Sequence, residues 1–135
     1  MPLKIHRPTR LELSIGGYPG PFYSVQWNGQ SLQYRGTDDE IIEVAITPHG
    51  RTWSAFWRTM ETVRVWNWRK RYVDLDILDG TSWEVLIQHD GKLIKSSGSN
   101  GYPGEAESDQ KRGISPRAFP QFCAAVRHLT RRPFA

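Results

Sequence analysis

Apolar and polar positions alternate in blocks along this chain, and the blocks predict strands before they predict helices. Over residues 10–15, Leu11, Leu13 and Ile15 alternate with Glu12 and Ser14, the period of a half-buried strand. The run GGYPGP at 16–21 cannot continue that strand and predicts a turn. Residues 22–27 predict a second strand with Tyr23, Val25 and Trp27 on one face. Asn28-Gly29 follows, a favoured hairpin turn because both central residues of a type I′ turn need positive φ. Leu32 and Tyr34 continue on the return strand, 36–40 is a polar loop, and 41–46 is a short strand or a lead-in.

The period then changes. Thr47-Pro48 reads as a helix start, a capping side chain followed by proline where its missing N–H costs nothing. Trp53, Phe56, Trp57 and Met60 recur at i, i+3, i+4 and i+7 as one helical stripe, with Arg51 and Arg58 facing away. Residues 63–72 fit no clean period. Residues 73–78 set Val73, Leu75 and Ile77 against Asp74 and Asp76, as a strand edge or an extended connector.

Residues 79–104 are the most legible. A run at 82–89, with Trp83, Val85 and Ile87 on one face, meets Asp90-Gly91 and a second run at 92–97, which predicts a hairpin. Its exit, SSGSNGYPG at 96–104, reads as a turn, and 105–113 reads as a charged loop with little to bury. Ser115-Pro116 repeats the helix-start chemistry before a stripe of Phe119, Phe122, Cys123, Val126 and Leu129. Pro120 removes an early helix hydrogen bond and moves the regular start toward that residue. The expected core is Trp53, Phe56, Trp57, Met60, Trp83, Val85, Ile87, Phe119, Phe122 and Val126.

Two halves of the chain echo each other. Gln26-Trp27-Asn28-Gly29 is matched by Gln88-His89-Asp90-Gly91, and Ile46-Thr47-Pro48 by Ile114-Ser115-Pro116. The expected fold is therefore α+β: an antiparallel sheet of two hairpins plus flanking strands, with two helices on one face. The echo is either a tandem ββα pseudo-repeat or a coincidence of two ordinary signals. A length of 135 residues sets one domain over 1–135, with 1–9 expected as a flexible N-terminal arm. The motifs Asp79-Gly80-Thr81-x-Trp83 and Ser96-x-Gly98-Ser99-Asn100-x-Tyr102-Pro103, with the Trp-rich helix, give the chain from Leu11 to about Leu129 a layout that resembles small uncharacterised bacterial α+β proteins. That resemblance implies a fold and a bacterial source, and no activity.

Composition narrows the chemistry. No apolar run approaches a membrane span and the N-terminus lacks the apolar core of a signal peptide, so the expectation is a cytoplasmic protein with no membrane partner. The single cysteine, Cys123, lies among apolar residues and reads as a buried thiol. The four histidines are isolated, and no zinc or P-loop spacing is present, so no metal, cofactor or catalytic residue is expected. Asp74, Asp76 and Asp79 lack the glycine and terminal glutamate of a calcium loop and read as a solvated face.

The net charge of +4 is segregated: 1–11, 64–72 and 110–135 hold bases without an acid, while the stretches between are acidic. Two binding surfaces follow. Ser97, Ser99, Asn100 and Tyr102 in the glycine-bearing exit are candidates for contact with a protein partner, on a chain rich in Trp, Tyr and Arg. Arg64, Trp66, Trp68, Arg69, Lys70, Arg71 and Tyr72 interleave cations with rings as single-strand nucleic-acid binders do, with the basic C-terminal helix in support. The expectation is a non-enzymatic binding or accessory module for a protein partner, with nucleic-acid binding as the alternative.

Overall fold

In a computed structural model, which describes residues 6–76 and 80–135, the chain forms one seven-stranded sheet. The strands are β1 (Arg10–Gly16), β2 (Phe22–Trp27), β3 (Leu32–Thr37), β4 (Ile41–Ile46), β5 (Arg71–Val73), β6 (Ser82–His89) and β7 (Lys92–Ser99). The helices are α1 (Gly50–Thr62), α2 (Glu107–Lys111) and α3 (Ala118–Thr130), with a short 3-10 turn at Val65–Asn67. The strand order is β4-β3-β2-β1-β6-β7-β5. Every pairing is antiparallel except β5 with β7.

β1 is the seam of the sheet. It pairs β2 on one side, Leu13 opposite Val25, and β6 on the other, Leu13 opposite Val85. The two predicted hairpins, β2–β3 and β6–β7, therefore flank it. Side chains of one parity are buried across the strands: Leu11, Leu13 and Ile15; Tyr23 and Val25; Leu32 and Tyr34; Trp83, Val85 and Ile87; Ile94. They share a core with Trp53, Phe56 and Met60 of α1 and Phe119, Phe122, Val126 and Leu129 of α3. No described element covers the other face, and its residues are polar or partly exposed.

Several expectations are corrected. α1 is capped at His49, two residues after Thr47, and no side chain caps it; His49 stays extended and Gly50 opens the helix against the ring of His6. Residues 6–9, expected as flexible arm, are tied down: the Trp57 indole N–H donates to the His6 carbonyl at 2.6 Å, and the Thr9 amide to Gln88 at 2.8 Å. Residues 1–5 of that arm lie outside the described residues. Trp57, expected in the core, is only half-buried; its ring lies flat on that of His89, centroids 3.7 Å apart.

The exit 96–104 is not a turn at its start, since β7 continues to Ser99 and is completed by β5, whose backbone follows from Arg69 and Lys70. Of the stretch 73–78, Val73 ends the edge strand β5 and is exposed like Leu75, while Tyr72 before it is buried; Ile77 lies outside the described residues. Asp74 accepts the Asp76 amide at 3.0 Å in a local turn, and Asp79 of the acidic trio lies outside the described residues. Pro120 is tolerated because α3 begins at Ala118, which places it in the first turn where its N–H would have no partner.

The charged loop 105–113 is the largest correction. It contains α2, and Asp109 at its centre is fully buried. Asp109 accepts the Gly104 amide and the Arg69 Nε–H, each at 3.0 Å, and the Tyr72 hydroxyl. Tyr72 in turn accepts the Arg69 amide at 2.8 Å, and Ser96 donates to the Arg69 carbonyl at 2.6 Å. One buried carboxylate thus joins the strand exit, the β5 approach and α2. A charge can be buried there because three donors replace its water.

Candidate functional site: the uncovered sheet face

The uncovered face is built by the parity that the core leaves over. On the β1-β6-β7-β5 half, the register places Ser14, Glu84, Ser97 and Arg71 in one row and Gly16, Ser82, Ser99 and Val73 in the next. Small side chains make a low floor between larger ones. A groove of about 480 Å³ lies beside it over Leu86 and Ser97, walled by Arg10, Glu12, Lys70, Arg71, Glu84 and Lys95. Arg10 pairs with Glu12 at 3.3 Å. Among the described residues, Lys70, Arg71, Lys95 and Glu84 form no ion pair.

The row through Ser99 continues across the sheet to Phe22, Thr37 and Ile41. Of the six large hydrophobic side chains exposed among the described residues, five gather at this end of the sheet. Phe22, Ile41 and Val73 lie on the row itself, 46%, 63% and 46% exposed. Tyr18 and Leu75 stand in the loops beside it, 90% and 85% exposed. Leu93 is the sixth, at the opposite end. Tyr18 also rims a second depression with Gly17, Pro21, Tyr23, Thr81 and the C-terminal Ala135.

The two expected sites are divided and partly merged. Ser97 and Ser99 lie on the uncovered face, and Arg71, from the other set, stands opposite Ser97. Asn100 belongs to a structural turn at φ 60°, where its side-chain oxygen accepts the Thr81 amide at 2.9 Å. Tyr102 lies toward the helices, its ring 4.9 Å from that of Phe119.

The basic stretch is largely architecture. Trp68 is buried, its indole donating to the Val63 carbonyl at 3.0 Å, and Tyr72 is buried in the Asp109 network, so neither ring is open to a base. Trp66 is half-buried and donates to Glu61 at 2.8 Å. Arg69 is held by Asp109, and Arg64 packs on Gly113. Lys70 and Arg71 alone of that stretch face the groove. The basic end of α3 is elsewhere: Phe134 packs on Tyr23 and Tyr34 bonds Pro133, under β2 and β3, while Arg71 and Tyr72 lie in β5 beyond β7. Of the basic segment 110–135, Arg112 meets the 64–72 stretch, donating to the Asn67 carbonyl at 2.6 Å.

Titratable groups away from the face have structural explanations. Burial pushes the Cys123 thiol up to about 12, so it stays protonated. Burial holds the Asp109 carboxyl up, but the Gly104, Tyr72 and Arg69 donors outweigh it and lower the pKa below the usual aspartate value. Among the described residues no group of three His, Cys, Asp or Glu side chains could hold a metal.

His89, beneath Trp57, is pushed below its ordinary value, first by burial and then by Lys92 and His6, against the Arg7 backbone and Asp90. A lowered histidine pKa means that the unfolded chain takes up the proton first as pH falls. Stability is therefore unaffected above about pH 6.5 and declines below it until the folded residue titrates. Urea midpoints at pH 7 and about pH 5 should differ in that direction. In His89→Phe, which keeps a flat ring under Trp57, the difference should shrink.

The sequence signal for the exposed row was present but inconspicuous. Phe22 has the opposite parity to Tyr23, Val25 and Trp27, and Ile41 the opposite parity to Ile42, Val44 and Ile46. An apolar residue on the polar parity of a strand is the mark of such a row. The chain matches no protein-family model and no curated protein sequence. No helix among the described residues is long and apolar enough to cross a membrane.

Proposed function

We propose that this protein is a non-enzymatic binding module that engages a protein partner through the uncovered face of its sheet. The observation that carries the reading is the end row of that face, where Phe22, Ile41 and Val73 stand exposed on β2, β4 and β5, with Tyr18 and Leu75 in the loops beside it. Exposed apolar side chains scattered singly need no explanation, but five of the six among the described residues lie along this one end of the sheet, from edge to edge, which supports an interaction surface there. The aromatic residues supply anchors of the kind that dominate interfaces, and Arg71 and Lys95 supply a polar margin. The depression between Arg71 and Val73 has a floor of Ser14, Ser82, Ser97 and Ser99, which leaves room for a partner's side chains. A bacterial cytoplasmic setting goes with this reading.

A second reading, nucleic-acid binding, draws support from one feature: Arg10, Lys70, Arg71 and Lys95 all line the same groove. The stacking component of that reading is weakened by the burial of Trp68 and Tyr72. Affinity capture from nuclease-treated lysate of the source cell separates the two. The protein-partner reading expects the wild type to retain a partner that Phe22→Ser/Val73→Ser loses, while Arg58→Ala on the exposed side of α1 keeps it. Gel-shift binding that falls steeply with salt and is reduced by Arg71→Ala and Lys95→Ala would instead favour phosphate contacts. Retention of the same protein by the Phe22→Ser/Val73→Ser variant would refute the reading.

A further inference from the structure

The two edges of the sheet are unlike. β5 is three residues long, contains Arg71, follows Lys70, and continues into a bonded turn, so it is poorly suited to receive another strand. β4 is six residues long and reads IIEVAI, with a single charge. It pairs β3 on one side, and among the described residues its backbone bonds nothing else. None of its side chains is fully buried. On the core-facing parity Ile42, Val44 and Ile46 are half-buried, although their β3 partners Gly36, Tyr34 and Leu32 are buried. The helix layer therefore stops short of β4 and leaves space beside it. A long apolar edge without proline, lysine or a bulge is a template for strand addition.

We infer that β4 pairs antiparallel with β4 of a second copy of this chain, about a two-fold axis through Val44. The sequence is self-complementary in that register. Ile42 faces Ile46 of the second copy, and Val44 faces its own counterpart, which gives a palindromic apolar row beneath the sheet. On the uncovered face Glu43 meets Ala45, so the only charge of the strand never meets itself. Each Glu43 remains neutralised by Arg35 of its own chain, 3.5 Å away. A register centred on Glu43 would oppose two carboxylates and is disfavoured. The pairing is isologous, closes on itself, and joins two sheets into one.

Ala45 is exposed, so changing it tests the contact without disturbing the core. Light scattering should find a species of twice 15.6 kDa that dissociates on dilution. Ala45→Glu places a second acid opposite Glu43 at two symmetric positions and should weaken association about tenfold. Ala45→Lys places a base there and should strengthen it to a similar degree. Glu43→Cys mixed with Ala45→Cys should form a disulfide-linked dimer under mild oxidation, whereas neither protein alone should do so. A species of 15.6 kDa at every concentration overturns the inference. A dimer that responds alike to Ala45→Glu and Ala45→Lys also overturns it, because the interface would then lie elsewhere.

Discussion

Replacing Asp109 by alanine is expected to destabilise the fold by about 3 kcal/mol, a large share of the roughly 5–15 kcal/mol that holds a domain together. The carboxylate is fully buried and serves three donors, the Gly104 amide, Arg69 Nε and the Tyr72 hydroxyl. Alanine leaves the buried Gly104 N–H without its acceptor. Arg69 recovers part of its loss from water, since its side chain is 44% exposed, which keeps the estimate at the lower end for a broken buried pair. Asp109→Asn should not rescue the site, because it exchanges a carboxylate that accepts all three bonds for an amide with one acceptor oxygen. The lowered pKa adds an acid signature. The stabilisation is present above the usual aspartate value and is lost as pH falls through about 4 toward the folded pKa, and the alanine variant should lack that slope. Urea titration at several pH values measures both effects. A loss below about 0.5 kcal/mol would mean that α2 and the strand exit do not depend on this node.

Trp83→Ala should cost about 3–5 kcal/mol, the range for removing a buried large aromatic side chain. Trp83 is 1% exposed and its ring lies among Trp68, Tyr72 and Phe119, with centroids at 5.9, 6.0 and 4.9 Å. Its indole N–H donates to the Gly101 carbonyl at 2.9 Å. Gly98 sits directly across the strand pair, and a β-carbon there would stand 2.2 Å from the indole nitrogen. The glycine of the SSGSNG run therefore exists to let the tryptophan lie over β7. Trp83→Phe should cost less than alanine, about 1–3 kcal/mol, chiefly from the Gly101 bond and the lost ring volume. Gly98→Ala should be as damaging as Trp83→Phe, since the backbone carbonyl of Gly101, 2.5 Å from the new carbon, cannot move aside.

What was legible from the sequence follows the range of the interaction. Both hairpins, and helices carrying the Trp53 and Phe119 stripes, are set by local chemistry and appear where the pattern places them. Asp90-Gly91 has positive φ at both residues as expected, whereas the first hairpin closes through four residues, 28–31, with Asn28 Oδ1 accepting the Gln30 and Ser31 amides and only Gly29 at positive φ. β5 escapes a local reading because it is defined by partners some 26 residues away, Arg71 beside Ser97. Asp109 escapes for the same reason. Nothing between Glu105 and Gly113 marks one acid for burial, and its donors come from Gly104, Arg69 and Tyr72. At 71–76 the alternation did not show which residue is buried: Tyr72 is drawn in by that same network, while Val73 and Leu75 stay exposed. The candidate face was half legible. Ser97, Ser99, Lys70 and Arg71 reach the uncovered face, whereas the rings of Trp68, Tyr72 and Tyr102 were claimed by the core, as large apolar groups usually are. The matching of the two halves stops at the helices. β4 lies antiparallel outside the first hairpin, while β5 lies parallel outside the second and precedes it in sequence.

The most direct measurement is a hydrogen-exchange map of the protein with and without the partner captured from its source cell. The binding account predicts protection at the end row of the uncovered face, in the segments containing Tyr18, Phe22, Ile41, Ser82 and Val73, and none along the solvent side of α1 and α3. Protection confined to the groove between those helices, where Ala55, Thr59, Ala124 and His128 lie, would contradict it.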